Sequence, residues 1–207
     1  DIQKEAIPII LNRNDCIIEA PTSGGKTEAV LFPTLTNASN NKAEGVRILY
    51  IAPLKALLND IELRANKYAP LCGLRSFKWH GDVSQTEKLK QILNPPQLLL
   101  TTPESLEAIL LRKSDWIKLF SNLQSVIIDE THNFALGDRG SHLLSLLERI
   151  EYDIKLHPQR IALTATIGNP DELLLWLAGT KRKPGIKISV QVKSNKKRTI
   201  RFVILIV

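Results

Sequence analysis

Ala20-Pro21-Thr22-Ser23-Gly24-Gly25-Lys26-Thr27 follows a short apolar run and opens a helical pattern. Small residues in such a turn let backbone N–H groups wrap an anion, and the helix behind them points its positive end the same way. The spacing is that of a phosphate-binding loop with Ala20 at the first glycine position. In that chemistry Lys26 reaches the β- and γ-phosphates and Thr27 sets its hydroxyl on Mg2+. A glycine-rich turn that merely caps a helix is the plain alternative.

Far downstream, Val126-Ile127-Ile128-Asp129-Glu130-Thr131-His132 runs an apolar strand into two adjacent carboxylates. Asp129 is suited to holding Mg2+ through water and Glu130 to orienting or deprotonating an attacking water. Alone, an acidic turn ending a strand is as ordinary as a site. Together, each stretch supplies what the other lacks.

Other chemistries find little support. His80, His132, His142 and His157 form no ligand spacing with one another or with cysteine, so a zinc site is not expected. No Gly-x-Ser-x-Gly elbow occurs. Cys16 and Cys72 read as two reduced thiols in or near a core, consistent with a cytoplasmic protein.

The elements that must position these residues alternate along the chain. Strands are predicted at Asp15–Ala20, Arg47–Ala52, Leu74–Trp79, Gln97–Thr101, Ser125–Asp129, Gln159–Thr164 and Gly185–Val192. Apolar residues three and four apart, such as Leu143, Leu144, Leu147 and Ile150, predict amphipathic helices between them. Nearly continuous apolar strands fit a sheet covered on both faces. The expected fold is therefore α/β: a doubly wound, mostly parallel sheet flanked by helices, with chemistry at the carboxyl ends of its strands. One domain over 1–207 is the simplest division, with polar loops at Asn37–Gly45, Asn94–Pro96 and Lys181–Gly185.

A net charge of +7 suits an anionic partner, although much of the excess lies in Lys181–Lys187 and Lys193–Arg201, where a solvated tail explains it equally well. No apolar run is long enough to cross a bilayer, and no secretory leader opens the chain. The chain has no Met and begins mid-pattern, as a piece of a longer polypeptide would.

Ala20–Thr27, Asp129-Glu130-Thr131-His132 and Thr164-Ala165-Thr166 resemble motifs I, II and III of the superfamily 2 helicases, in the DExH branch. Tyr50–Leu57 is similar to motif Ia, and Thr101–Leu106 to motif Ib. Pro53–Asp60, Arg139-Gly140, Ala165–Pro170 and Trp176–Gly179 look most like the large helicase-related group, with Ski2-like helicases the nearest rival. The resemblance runs from Gln3 to about Gly179. It departs in the order Ser23-Gly24 within motif I, in Thr131 for the usual aliphatic residue, and in Thr164 for the usual Ser.

The resemblance implies an ATP-binding RecA-like domain of a helicase motor, with ATP and Mg2+ as cofactors. Gln3 would read the adenine edge, and Thr22, Ser23, Gly24, Gly25, Lys26 and Thr27 would cradle the nucleotide. Pro53, Lys55, Thr101, Thr102 and Glu104 would line the path of single-stranded nucleic acid, DNA ahead of RNA. Thr102 before Pro103 is equally a sound helix cap. His132, Thr164 and Thr166 would couple hydrolysis to that path. A second RecA-like domain of the same parent chain is implied as partner. A translocase that remodels without separating strands, and a nucleotide-gated binding module without turnover, remain open. Glu130 argues against the module.

Overall fold

The computed structural model describes residues 2–189 apart from 22, 23, 41, 113, 114, 136, 166–168, 180 and 181. Among these, seven strands form one sheet: Cys16–Glu19 (β1), Ile48–Ile51 (β2), Ser76–Trp79 (β3), Leu98–Thr101 (β4), Ser125–Ile128 (β5), Gln159–Thr164 (β6) and Ile186–Ser189 (β7). Their order is β3-β4-β2-β5-β6-β1-β7, and every neighbouring pair is parallel. The expected doubly wound sheet is thus parallel throughout its described strands. The connecting helices are Ile2–Leu11 (α1), Lys26–Ser39 (α2), Lys55–Tyr68 (α3), Gln85–Leu93 (α4), Pro103–Leu110 (α5), Asp115–Phe120 (α6), Asp138–Ile154 (α7) and Pro170–Ala178 (α8).

The period-2 geometry of a strand sends alternate side chains to opposite faces. In β5, Ile127 enters a core built with α1, α2 and α3, while Val126 and Ile128 enter a second core built with α5, α6, α7 and α8. Burial on both faces explains why the strands read as unbroken apolar runs.

This winding positions the site. From β1 the chain leaves for α2 on the first face; from β5 and β6 it leaves for α7 and α8 on the other. Connections that part in opposite directions open a crevice at the carboxyl ends of the strands. The same divergence recurs where β2 feeds α3 and β4 feeds α5.

Two boundaries differ from the sequence reading. The polar segment expected from Asn37 is helical through Ser39. Thr34, Thr36 and Ser39 bond their hydroxyls back to carbonyls three and four residues earlier, Asn37 donates to the Ile10 carbonyl, and Ala38 is buried. Packing thus overrides weak propensity. The last strand is present at Ile186–Ser189; positions 190–192 and the run 198–207 lie outside the described residues. Cys16 and Cys72 are free thiols; burial, aided by Asp15, pushes Cys16 up to about 12.

Candidate functional site

After β1 the chain turns tightly: Gly24 N–H donates to Pro21 O at 2.7 Å, and a Cβ on Gly24 would stand 2.7 Å from that oxygen. Gly25 follows with φ +76°, the left-handed region that favours glycine, and α2 begins at Lys26. Gln3 of α1 reaches this turn, its amide nitrogen 3.4 Å from where a Gly25 side chain would start. Thr27 is half-buried in the first turn of α2. Thr22 and Ser23 lie outside the described residues.

The Lys26 ammonium is buried and donates to Ala20 O at 2.5 Å. Burial lowers its pKa, against the opposing charges of Glu130 and then Asp129. The lysine that opens α2 after β1 therefore feels the charge of both carboxylates at the end of β5. Asp129 is buried and held at both oxygens: Tyr50 O–H donates to Oδ2 at 2.7 Å and Glu130 N–H to Oδ1 at 2.9 Å. Burial raises its pKa and the neighbouring Glu130 charge adds to that, outweighing these bonds and Lys26.

Glu130 sits at φ +46°, ψ +46°. A left-handed non-glycine residue costs of order 1–3 kcal/mol, a strain found at working sites. His132 stands next to it, with Nδ1 3.4 Å from Glu130 Oε2 and 3.2 Å from Thr164 Oγ1 at the end of β6. One imidazole thus touches both the acidic pair and the next strand. Thr131 is fully buried, its hydroxyl satisfied by Ile128 O at 2.8 Å. Thr166 lies outside the described residues.

The residues expected along a strand form a second group, at the divergence of β2 and β4. Lys55 opens α3 and bonds both oxygens of Asp82 at 3.0 and 2.9 Å. Thr102 caps α5 by accepting from Ser105 N–H. Pro53 offers its carbonyl, and Glu104 its carboxylate, to Arg139, at 3.0 and 2.6 Å. Thr101 departs from expectation. Its side chain is fully buried and donates to Trp79 O at 2.9 Å, so it fixes the loop from beneath and cannot reach a strand.

Residues 1–173 match the family described as DEAD/DEAH box helicase. The chain belongs to that family. It is 34% identical over 194 residues to the Lhr helicase/probable uracil glycosylase of Mycolicibacterium smegmatis, covering 86% of this chain and 13% of that protein. It is 35% identical over 193 residues to the ATP-dependent helicase Lhr-Core of Sulfolobus acidocaldarius, covering 86% of this chain and 22% of the relative. The chain therefore spans less than a quarter of the length of these relatives. Among solved structures, Mycobacterium smegmatis helicase Lhr bound to ssDNA and AMP-PNP superposes with a TM-score of 0.78 at 32% identity, covering 91% of this chain and 25% of that one. The likeness to the large helicase-related group agrees with the motif reading.

The domain also uses residues to which the sequence assigned no role. Tyr50 is visible in the sequence only as part of a motif, and its bond to Asp129 joins a side chain of β2 to one just after β5. Arg139 ties the loop after β2 to the start of α5 while its guanidinium lies 5.5 Å from the centre of the Phe134 ring. Arg139 and its neighbour Gly140 carried part of the resemblance, and Gly140 has a steric reason. A Cβ there would lie 2.1 Å from Phe134 O and 3.2 Å from Trp176 Nε1. The Trp176 of the same resemblance is thus the neighbour of that glycine.

Proposed function

We propose that this chain is the ATP-binding half of a helicase motor. It binds ATP with Mg2+, hydrolyses it together with a second RecA-like domain of the same polypeptide, and holds one strand of nucleic acid. The glycine turn that leads into Lys26 after β1 and the oriented acidic pair after β5, set where the sheet reverses its winding, carry this reading.

In this proposal Gln3 contacts the base, and Thr22, Ser23, Gly24, Gly25, Lys26 and Thr27 hold the phosphates. Mg2+ takes one or two protein oxygens beside phosphate oxygens and keeps several waters. Thr27 and the oriented Asp129 carboxylate suit that demand. When bound, the ion would neutralise charge that builds on the phosphates. Glu130 orients the attacking water and accepts its proton. His132, with Thr164 and Thr166, passes the state of the acidic pair to the neighbouring strand.

Pro53, Lys55, Thr102 and Glu104 border the strand, with Thr101 and Arg139 fixing their loops. Lys55 exchanges Asp82 for a phosphodiester, a contact that tracks a strand without reading its sequence. Single-stranded DNA is the partner we favour, supported by the ssDNA-bound Lhr helicase. The free cysteines support a cytoplasmic setting.

Turnover of ATP by this domain joined to its second RecA-like domain tests the proposal. Expected are stimulation by single-stranded DNA above RNA, loss of turnover in Glu130→Gln, and slow or absent hydrolysis by the 207-residue chain alone. Turnover indifferent to both strands and to Glu130→Gln would count against a motor.

A further inference from the structure

Tyr50 stands in β2 with its ring fully buried in the first core, in the company of Ile18, Ile48, Leu100 and Ile127. Phenylalanine would fill such a place as well, since the hydroxyl adds nothing to apolar packing. A buried hydroxyl left unpaired is costly, so this one requires a partner. The sheet supplies it. β2 and β5 pair with Ile51 opposite Ile128, and Asp129 N–H donates to Ile51 O at 2.8 Å, which brings Asp129 beside the strand that carries Tyr50. The phenol then bonds Oδ2 at 2.7 Å while the Glu130 amide bonds Oδ1 at 2.9 Å.

A donor on each oxygen fixes the plane of the carboxylate. The chemical type of the donor matters as much as its position. A lysine or arginine here would neutralise Asp129 and blunt its attraction for a cation. A phenol orients the carboxylate and leaves its negative charge in place. Outer partners of this kind orient metal ligands, and their removal typically lowers metal affinity about 10- to 100-fold.

We propose that Tyr50 is a positioning residue of the Mg2+ site, holding the Asp129 carboxylate in one orientation without cancelling its charge. This rests on the reading of Asp129 as the carboxylate that holds Mg2+, directly or through water. It makes the strand that leads toward the nucleic-acid loops a structural support of the hydrolysis site as well.

The test is a Mg2+ titration of fluorescent ATP-analogue binding to the 207-residue chain, for wild type, Tyr50→Phe and Asp129→Asn. For Tyr50→Phe the expected result is a Mg2+ midpoint raised about 10-fold or more, with affinity in EDTA unchanged. A packing defect would instead weaken binding with and without the ion. A midpoint equal to that of wild type overturns the proposal. If Asp129→Asn keeps the Mg2+ effect, or wild type has none, the ligand reading itself fails and the role of Tyr50 falls with it. Should Tyr50→Phe not fold, wild type labelled with 13Cζ-tyrosine decides. The Tyr50 signal should move on adding Mg2+ and ATP beyond its position with ATP alone, while Tyr68 and Tyr152 serve as internal controls. An unmoved Tyr50 signal overturns the proposal.

Discussion

At the amino ends of the strands, a dense set of charges is paired, with Arg182 Nε the one buried side-chain atom among the described residues that lacks a hydrogen-bond partner. Arg160 is completely buried, yet it donates to Glu151 at 3.0 Å, Glu148 at 2.7 Å and Leu177 O at 2.9 Å. Arg182 bonds Asp15 at 3.0 Å and Glu151 at 2.6 Å, and Asp15 also accepts from the Arg160 amide at 2.7 Å. Burial alone would raise the Glu151 pKa, but Arg182 and Arg160 outweigh it and hold the carboxyl below its ordinary value. At the carboxyl ends, burial wins instead: it lowers Lys26 and raises Asp129, and Glu130 adds a like charge in a left-handed backbone. One end clamps β1, β6, α7, α8 and the approach to β7 together. The other keeps charges poorly compensated, the condition in which a polyphosphate and a divalent cation gain most by binding.

Mutations should separate the two ends, most strongly through chemistry. Glu130→Gln is expected to slow ATP turnover of the two-domain protein about 10²- to 10⁴-fold, with thermal unfolding of the apo domain scarcely changed. At the opposite end, Arg160→Met strips the buried partner from Glu148 and Glu151. Breaking a buried pair on one side costs about 3–5 kcal/mol, measurable by urea unfolding. A stable Arg160→Met domain would break the comparison.

Gly140→Ala tests the joint between α7 and the loop behind the acidic pair. A methyl group 2.1 Å from Phe134 O forces a shift, and overpacking of this kind costs about 1–3 kcal/mol. Unfolding should register that loss.

The two carboxylates with opposite shifts give the sharpest contrast in pH. Glu151 has a lowered folded pKa, so its contribution is present above its unfolded value of about 4.3 and is lost as pH falls through the folded pKa. Glu151→Gln should therefore destabilise the domain at neutral pH, with the deficit closing in acid. Asp129 has a raised folded pKa. Its contribution is present below its unfolded value of about 3.9 and is lost as pH rises through the folded pKa. Asp129→Asn should then stabilise the apo domain at neutral pH, with the gain vanishing in acid. Melting temperatures of both variants across pH 3–8 check the two signs, and like signs would remove the distinction. The smallest effect is expected on the surface: Asp82→Asn frees Lys55, so binding of single-stranded DNA at low salt should tighten slightly.

What could be read from the sequence divides along the same line. Strand positions, the glycine turn before Lys26 and the acidic end of β5 are local patterns, and each was legible. So was the helix-capping role of Thr102, whose side chain accepts from the Ser105 amide. The bond from Tyr50 to Asp129, the three-way joint at Arg139 and the pairing of Arg160 with Glu151 and Glu148 join residues distant in sequence or shaped by tertiary packing. Composition and spacing carry no mark of them. Asp15 shows the difference within one residue: it read as the start of β1, but its carboxylate leaves the strand pattern to bind the Arg160 amide and Arg182. Thr101 looked like a strand contact because its motif did, and only the fold reveals its hydroxyl turned beneath the loop toward Trp79.

In the proposed motor Lys26, Asp129 and Glu130 act as one nucleotide site, and equilibrium binding of a fluorescent ATP analogue to the 207-residue chain with Mg2+ tests this most directly. Loss of one charge-assisted contact to phosphate predicts that Lys26→Ala binds about 10- to 100-fold more weakly than wild type, while the fold stays intact by thermal unfolding. Equal affinity of wild type and Lys26→Ala for the analogue would contradict it.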